Sequence, residues 1–319
     1  MTFQLSECEI HPATGPRLRQ VCRFLIDQFP PDRPILERVI ATGRGYATWT
    51  PYALYHGEEL LGSLALMPLR IWLEGQRRDM VGIASVATVP AYRRMGVAGR
   101  LLDHCLAKAD QQLLPSVLFT SLPRVYENAG FQAIRQDYLG TSPANVPRGG
   151  AGLGVQRLET INDDDCNTLA TIYDSPGSVF SGKVERDAQY WRFYQLLFNT
   201  SSNLRILLCS DGGRPCGYLR AETEEGRLLI SEVCLEQASA AVIEAVCTHI
   251  AEEARLQSAP WVTLSLPSDH AVRGFLERCG IRCTREPAGI CRETLMVRPP
   301  RGRSLDTLSR LQWPLSDKF

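Results

Sequence analysis

Two mixed α/β (α+β) layers in tandem are what the pattern of elements predicts. Three observations carry this expectation. The chain has 319 residues, about twice the length of a typical domain. Its first half reads as helices, antiparallel strands, one continuously apolar strand, then helix, strand, helix, strand. After a Pro- and Gly-rich stretch the second half repeats that order, in elements and not in residue identities.

Leu18, Val21, Cys22, Leu25 and Ile26 recur at helical spacing between Gly15 and Phe29, and Pro30-Pro31 stops them. A shorter helix is expected from Pro34 to Ala41. The segment from Tyr52, a His56-to-Glu59 turn, and Leu60 to Leu69 read as a hairpin. Met80 to Val89 is rich in small and β-branched residues, as suits a strand covered on both faces. A turn, Pro90 to Gly96, leads into a helix from Val97 to Gln111 whose stripe is Val97, Leu101, Leu102, Cys105, Leu106 and Ala109. Val117 to Thr120 is a strand, Arg124 to Ala129 a short helix, and Gly130-Phe131 starts another extended stretch. Thr141 to Arg157 lacks periodicity and is read as a linker. Beyond it, helices are expected over 163–173, 185–197, 239–256 and 271–278. Strands are expected over 205–210, 215–222, 228–235 and 261–266.

Composition narrows the function. The chain is 44% hydrophobic and 22% charged, which fits a globular protein. Lys plus Arg equals Asp plus Glu at 35 each, which argues against a nucleic-acid partner. Sixteen basic and thirteen acidic residues fall in 1–150, against nineteen and twenty-two in 151–319, so the first half is mildly anion-friendly. No apolar run approaches the ~20 residues of a membrane span, and no apolar leader precedes Pro12. Neither a membrane partner nor secretion is expected, and the compartment is read as cytoplasmic. Eleven cysteines without a C-x-x-C pair fit buried reduced thiols. Cys279, Cys283 and Cys291 lie closest together, but no histidine stands at zinc spacing, so no metal is expected.

Ser85 to Leu102 is the most informative stretch. A strand enters a turn of small residues and a helix begins at once, leaving that helix's first N–H groups without intrahelical partners. Gly96, Ala98 and Gly99 remove bulk, and Arg93, Arg94 and Arg100 add positive charge. Together these features form an anion cradle. Its spelling is neither G-x-G-x-x-G nor Gly-Lys-Ser/Thr.

Arg93-x-x-Gly96-x-Ala98, following the strand end and preceding Leu101-Leu102, resembles the acetyl-coenzyme A signature of the GNAT superfamily of N-acetyltransferases. Val125 to Phe131 resembles that superfamily's tyrosine-bearing helix and the Gly-Phe entering its last strands. The resemblance covers about residues 15–140. It implies a splay between the central strand and the strand at Val117 to Thr120, with pantetheine in the gap. Backbone groups of Val86, Ala87, Thr88 and Val89 would pair with pantetheine. Arg93, Arg94, Met95, Gly96, Val97, Ala98 and Gly99 would hold the diphosphate. Tyr126 would be the general acid for the departing thiolate, and a phenol is protonated near neutral pH.

The base stays open. Met80 to Gly99 contains no carboxylate, whereas many members of the superfamily carry a glutamate on this strand. Three options stand: a water held by backbone carbonyls, Asp32 or Glu37 from the entry loop, or the terminal carboxylate at Phe319. The last arises because the tandem arrangement resembles the enhanced-intracellular-survival type acetyltransferases. No counterpart of their third, sterol-carrier-like domain is expected here, since only about twenty residues follow Val297.

Where a second cradle would fall, the sequence reads Val233 to Ala240, with Glu236 in place of glycine and arginine. The second half is therefore expected to be a degenerate copy that walls the acceptor cleft. The expected division is a catalytic domain over 1–145, a linker over 146–157, a degenerate domain over 158–298 and a tail over 299–319. Tyr46, Trp49 and Tyr52 fit either an acceptor pocket or core. His56 and His104 read as surface and helix-face residues, Asp163 to Asp165 as a helix-capping run, and Trp191 and Tyr194 as core.

The function expected is direct transfer of acetyl from acetyl-coenzyme A to a primary amine, with a small molecule preferred over a protein amine as acceptor. The rival is a non-catalytic sensor or assembly subunit that binds acyl-coenzyme A.

Overall fold

The computed structural model describes residues 4–43, 49–149, 152–201, 203–224, 226–284 and 293–305, with Leu308, Leu311 and Trp313. The first half contains β1 (Glu9–Pro12), α1 (Gly15–Gln28), α2 (Arg33–Thr42), β2 (Thr50–His56), β3 (Glu59–Leu73) and β4 (Gln76–Thr88). It continues with α3 (Val97–Gln111), β5 (Ser116–Thr120), α4 (Arg124–Glu127), β6 (Gln132–Ala133) and β7 (Tyr138–Thr141). The second half contains β8 (Gly154–Leu158), α5 (Asp163–Tyr173), α6 (Ala188–Thr200), β9 (Leu204–Asp211), β10 (Arg214–Glu224) and β11 (Arg227–Leu235). It ends with α7 (Ala240–Leu256), β12 (Val262–Leu264), α8 (Ala271–Arg278), β13 (Cys283–Thr284) and β14 (Thr294–Arg298).

These strands form two seven-stranded mixed sheets, ordered β1-β2-β3-β4-β5-β14-β6 and β13-β7-β12-β11-β10-β9-β8. The tandem mixed-sheet class is as the sequence predicts. The sheets, however, do not follow the chain-order division into 1–145 and 158–298. Each takes a strand from the other half. β14 lies antiparallel between β5 and β6 of the first sheet, with Thr294 opposite Thr120 and Arg298 opposite Ser116. β7 lies between β12 and β13 of the second. The linker expected over 146–157 contains most of β8, an edge strand whose residues 154–157 are exposed. An edge strand with no buried face has no alternation to display.

Side chains alternate across each sheet. On the first sheet, Leu54, Leu61, Leu64, Ile83, Leu118 and Met296 face α3. Ala53, Tyr55, Leu60 and Ala87 face α1 and α2. Farther along that same face, Ala65, Met67, Val117, Leu295 and Val297 pack under Leu308, Leu311 and Trp313. The tail is held there by paired bonds: Gln136 donates to Leu311 O at 2.9 Å, and Trp313 N–H donates to Gln136 Oε1 at 2.8 Å. Ile71 and Trp72 on β3 also bond to the segment 182–184 of the second half. The halves thus share strands, tail and bridging backbone.

Candidate active site

β4 and β5 share two parallel pairs, Val81 with Ser116 and Gly82 with Val117. Beyond them β4 runs to Thr88 and β5 to Thr120 without register, so the sheet opens. The cause is a bulge. Between Ala84 and Ala87, β4 has one residue more than β3 has between Ala65 and Ser63. Ser85 there adopts a φ of 51°. A non-glycine residue in that region stores about 1 kcal/mol or more of strain, and bulges re-aim a strand's backbone groups. At the far end, Val89 N–H is turned toward β3, donating to Leu61 O at 2.9 Å. Two serines near the opening, Ser116 at its apex and Ser63 opposite Ala87, are fully buried, and their hydroxyls lack a hydrogen-bond partner among the described residues.

After β4 comes a single 3₁₀ turn (Pro90–Tyr92), then Arg94 at φ 64° and Gly96 at φ 85°. α3 starts on Val97 without a side-chain cap. Its first regular bond, from Arg100 N–H to Gly96 O at 2.9 Å, leaves the N–H groups of Val97, Ala98 and Gly99 without an intrahelical acceptor. Gly96 and Gly99 are exposed. A Cβ on Gly99 would meet nothing within 4 Å, whereas one on Gly96 would stand 3.1 Å from Leu5 Cδ2. Beneath the turn, a Cβ on Gly62 would come within 2.6 Å of Ala87 O and 2.9 Å of Val97 Cγ1. Gly62 is what lets the start of α3 sit down on the sheet.

The arginines divide their work. Arg93 donates to Gln28 Oε1 at 3.0 Å and to Thr88 O at 3.4 Å, tying the turn to α1. Arg100 donates to Leu5 O and, at 2.7 Å, to Cys8 O, holding the amino-terminal segment. Arg94 is exposed and makes no hydrogen bond or ion pair among the described residues. Of the three expected cationic groups, Arg94 is the one positioned to meet an anion without first breaking a bond.

Tyr126 lies on α4, 9% exposed, its ring edge-on to Phe131 at 6.0 Å. Burial pushes its phenol above the usual value, Glu293 adds to the rise, and the Thr120 hydroxyl pulls the other way. The phenol therefore carries its proton at neutral pH. Asp32 keeps exposed surface but is ringed by protein on its other sides. That loss of surrounding water, with the Glu293 charge, raises its carboxyl above the ordinary value. Glu37, the other entry-loop candidate, pairs with Arg33 at 3.3 Å on an exposed face. Phe319 and Tyr46 lie outside the described residues. Trp49 packs between the α1–α2 cluster and the tail cluster. Tyr52 packs toward α3, its ring 5.7 Å from that of His104. Glu293 was not singled out by the sequence, because nothing in the spacing shows that β14 returns to the first sheet.

The second half has the same skeleton with the opening filled. β11 and β12 share three parallel pairs. Past them, Ser178 Oγ accepts from Leu235 N–H at 2.9 Å and donates to Leu235 O at 3.0 Å. Ser175 Oγ donates to the same carbonyl at 2.8 Å, and His270 Nε2 lies 3.0 Å from Val233 O. A Cβ on Gly177 would stand 2.5 Å from Leu235 O. α7 is capped by its own Ser239, which accepts from Val242 N–H at 3.3 Å. Glu232 on β11 is buried between Arg186 and Tyr218, whose hydroxyl donates to it at 2.6 Å. Backbone groups that the first half leaves open are satisfied internally in the second.

A cleft of about 930 Å³ opens elsewhere, near Met80 and Leu114 and lined also by Arg70, Arg77, Asp79 and Glu185. It is eight residues of β4 away from Thr88, roughly 25 Å along the strand. Its charges pair among themselves, Arg70 with Asp79 at 2.8 Å and Arg77 with Glu185 at 2.7 Å.

Residues 9–134 match the family model of the acetyltransferase (GNAT) domain. A GCN5-related N-acetyltransferase from Anabaena variabilis has a similar structure (TM-score 0.68, 21% identity), the match covering 92% of this chain and 72% of that one. Eis1 from Mycobacterium abscessus is similar with a TM-score of 0.61 and 15% identity, over 92% and 73% of the two chains. A tandem GNAT protein from the clavulanic acid biosynthesis pathway gives 0.51 and 14%, over 93% and 100%. No curated protein matches by sequence. At these identities the likeness to solved structures is one of fold. Residues 9–134 thus match a GNAT domain, and the fold of the whole chain is similar to that of the tandem GNAT protein.

Proposed function

We propose that the chain transfers an acetyl group from acetyl-coenzyme A directly to a primary amine, with a small molecule as acceptor, in the cytoplasm. The observation that carries this reading is an open β4–β5 splay meeting an uncapped α3 within one GNAT domain. The residues fit the ligand. Exposed glycines flank free amide protons, Arg94 stands beside them, and the backbone of Val86 to Val89 borders the gap. Bound acetyl-coenzyme A supplies an activated thioester carbonyl.

The chain's own groups do the rest. The amides of Val97, Ala98 and Gly99 receive the diphosphate, with Arg94 beside them and the helix dipole favouring its charge. Val86 to Val89 align the pantetheine arm as a further strand would be aligned. Tyr126, protonated and buried, delivers its proton to the leaving sulfur. The second half, whose equivalent strand is sealed, has no cofactor role and supports the cleft.

Tyr126→Phe tests the reading. Turnover is expected to fall about 100-fold or more, with coenzyme A affinity by calorimetry unchanged. Full turnover in the variant removes Tyr126 from its role. Coenzyme A binding with no acetylation of any amine in a broad panel overturns the enzymatic reading itself.

A further inference from the structure

The second half buries a cation among rings. Arg186, in the strap that precedes α6, has a side chain 0% exposed, and that of its partner Glu232 is 1% exposed. Four rings surround the guanidinium. Its carbon lies 4.0 Å from the centre of Tyr173, 5.1 Å from those of Trp191 and Tyr194, and 5.4 Å from that of Tyr190. Its two terminal nitrogens donate to the two oxygens of Glu232, Nη1 at 3.2 Å, and the Tyr218 hydroxyl donates to the same carboxylate at 2.6 Å. Neighbouring cations are engaged elsewhere: Lys183 Nζ donates to Tyr173 O, and Arg220 pairs with Glu222 at 3.3 Å.

Regular elements build the cage. Tyr173 ends α5, and Tyr190, Trp191 and Tyr194 fall on adjoining turns of α6. Glu232 follows Ser231, the extra residue of a bulge in β11, as β4 carries a bulge at Ser85. The carboxylate that β4 lacks there stands on β11, in phase with Cys234 on the face that α5 and α6 cover. The occupant arrives from the other side. Gly182 and Lys183 exchange backbone bonds with Trp72 at 2.7 and 2.8 Å, Glu185 N–H donates to Arg70 O at 2.7 Å, and Val184 packs in the tail cluster of the first sheet. Arg186 and Tyr190 also line the 930 Å³ cleft, so the cage borders open space where the guanidinium enters it. Taking two charges out of water is costly, and apolar residues of equal volume fill a core at no greater cost. What this pair adds is shape: flat faces for stacking and a two-oxygen acceptor for a planar fork.

We propose that the second half holds a cation site built for a guanidinium, and that the chain fills it with its own Arg186 as a tethered ligand. The site takes a planar, delocalised cation in preference to an ammonium, because only the former both stacks on the rings and meets the two carboxylate oxygens in one plane. Tethering makes the occupancy intramolecular, so the site is closed to free ligands in the native chain. Its occupant locks the strap, and through the strap the β3 arm of the first half, to the core of the second. Emptied of Arg186, the cage becomes a receptor for small guanidinium compounds entering from the cleft.

Arg186→Ala in the full chain tests this, with ethylguanidinium as the probe, whose ethyl group replaces the methylenes removed. Calorimetry should show one equivalent bound by the variant and none by the wild type. The variant should melt below the wild type and recover about half of that loss or more when saturated with the probe, which should not raise the wild-type melting temperature. Propylammonium, with the same charge and no planar fork, should bind about 10-fold more weakly or worse. Adding Glu232→Gln should abolish the recovery. If Arg186→Ala does not fold unaided, the yield of folded chain on refolding with each probe reads the same preference. An Arg186→Ala chain that neither binds ethylguanidinium nor refolds with it, equal binding by the wild type, or equal rescue by propylammonium overturns the proposal, and each leaves the acetyltransferase reading standing.

Discussion

Arg298→Met removes the clamp that holds the exchanged strand. The guanidinium donates to Asp110 at 2.7 and 2.8 Å and to Ala129 O at 2.9 Å, with side chains only 12% and 20% exposed. Charge-assisted hydrogen bonds contribute about 1.5–3 kcal/mol each, and removing one partner of a buried pair costs about 3–5 kcal/mol. Partial exposure, and the Arg301 N–H that still serves Asp110 at 3.0 Å, bring the expected loss to about 3 kcal/mol. With an unfolding entropy of about 2.1 cal/mol/K per residue over 319 residues, the melting temperature should fall about 4–5 °C. The loss must depend on pH. Hydrogen bonds from Arg298 hold the Asp110 carboxyl below the usual range. A depressed folded value means stability present above the unfolded value, near 3.9, and lost as pH falls through the folded one. Urea denaturation of both proteins should therefore show the full gap at pH 7 and a shrinking gap below pH 4. A gap under ~0.5 kcal/mol at pH 7, or one that stays constant into acid, would refute the clamp.

Gly96→Glu places bulk at a φ of 85°, where a Cβ stands 3.1 Å from Leu5, and adds negative charge to the cradle. Calorimetry should show coenzyme A affinity reduced at least 100-fold in a chain that still unfolds cooperatively; wild-type affinity would disprove the site. The wild-type chain should bind one coenzyme A. Two would contradict the sealing of β11, and Gly177→Val, which drives a side chain into Leu235 O and Glu236 O, should destabilise the chain without changing that stoichiometry.

Much of this was legible in the residues. The stripes of α1 and α3 matched their buried faces because amphipathic spacing is a local property. The cradle was legible because glycine at a positive φ and a helix start leave a sequence trace at Gly96. The short helix bearing Tyr126 stands where the second motif places it. The capping run proved to be centred one residue earlier, on Asn162, which accepts from the N–H groups of Asp164 and Asp165. Roles for Arg93 and Arg100 were harder to read, since charge alone does not reveal that both are bound to neighbouring acceptors. The strand exchange was hidden. Thr294 to Arg298 looks like any short apolar strand, and register between residues 174 positions apart leaves no periodic signal. Glu293 stayed hidden with it. One clue existed: after Gly280 the second half has too few apolar runs to finish a sheet like the first.

Because β7 and β14 cross over, a cut between the halves, after residue 145 and before β8, yields two fragments that each lack an interior rung. Each would bare two raw ladder edges where one continuous array belongs, an invitation to aggregate or to find the missing piece in trans. Excising the sealed C-terminal portion to obtain a minimal catalyst would also strip the Tyr126 neighbourhood of its flanking wall. Persistence of a half whose equivalent strand is sealed needs no signalling duty to explain it: the first sheet is unfinished without β14.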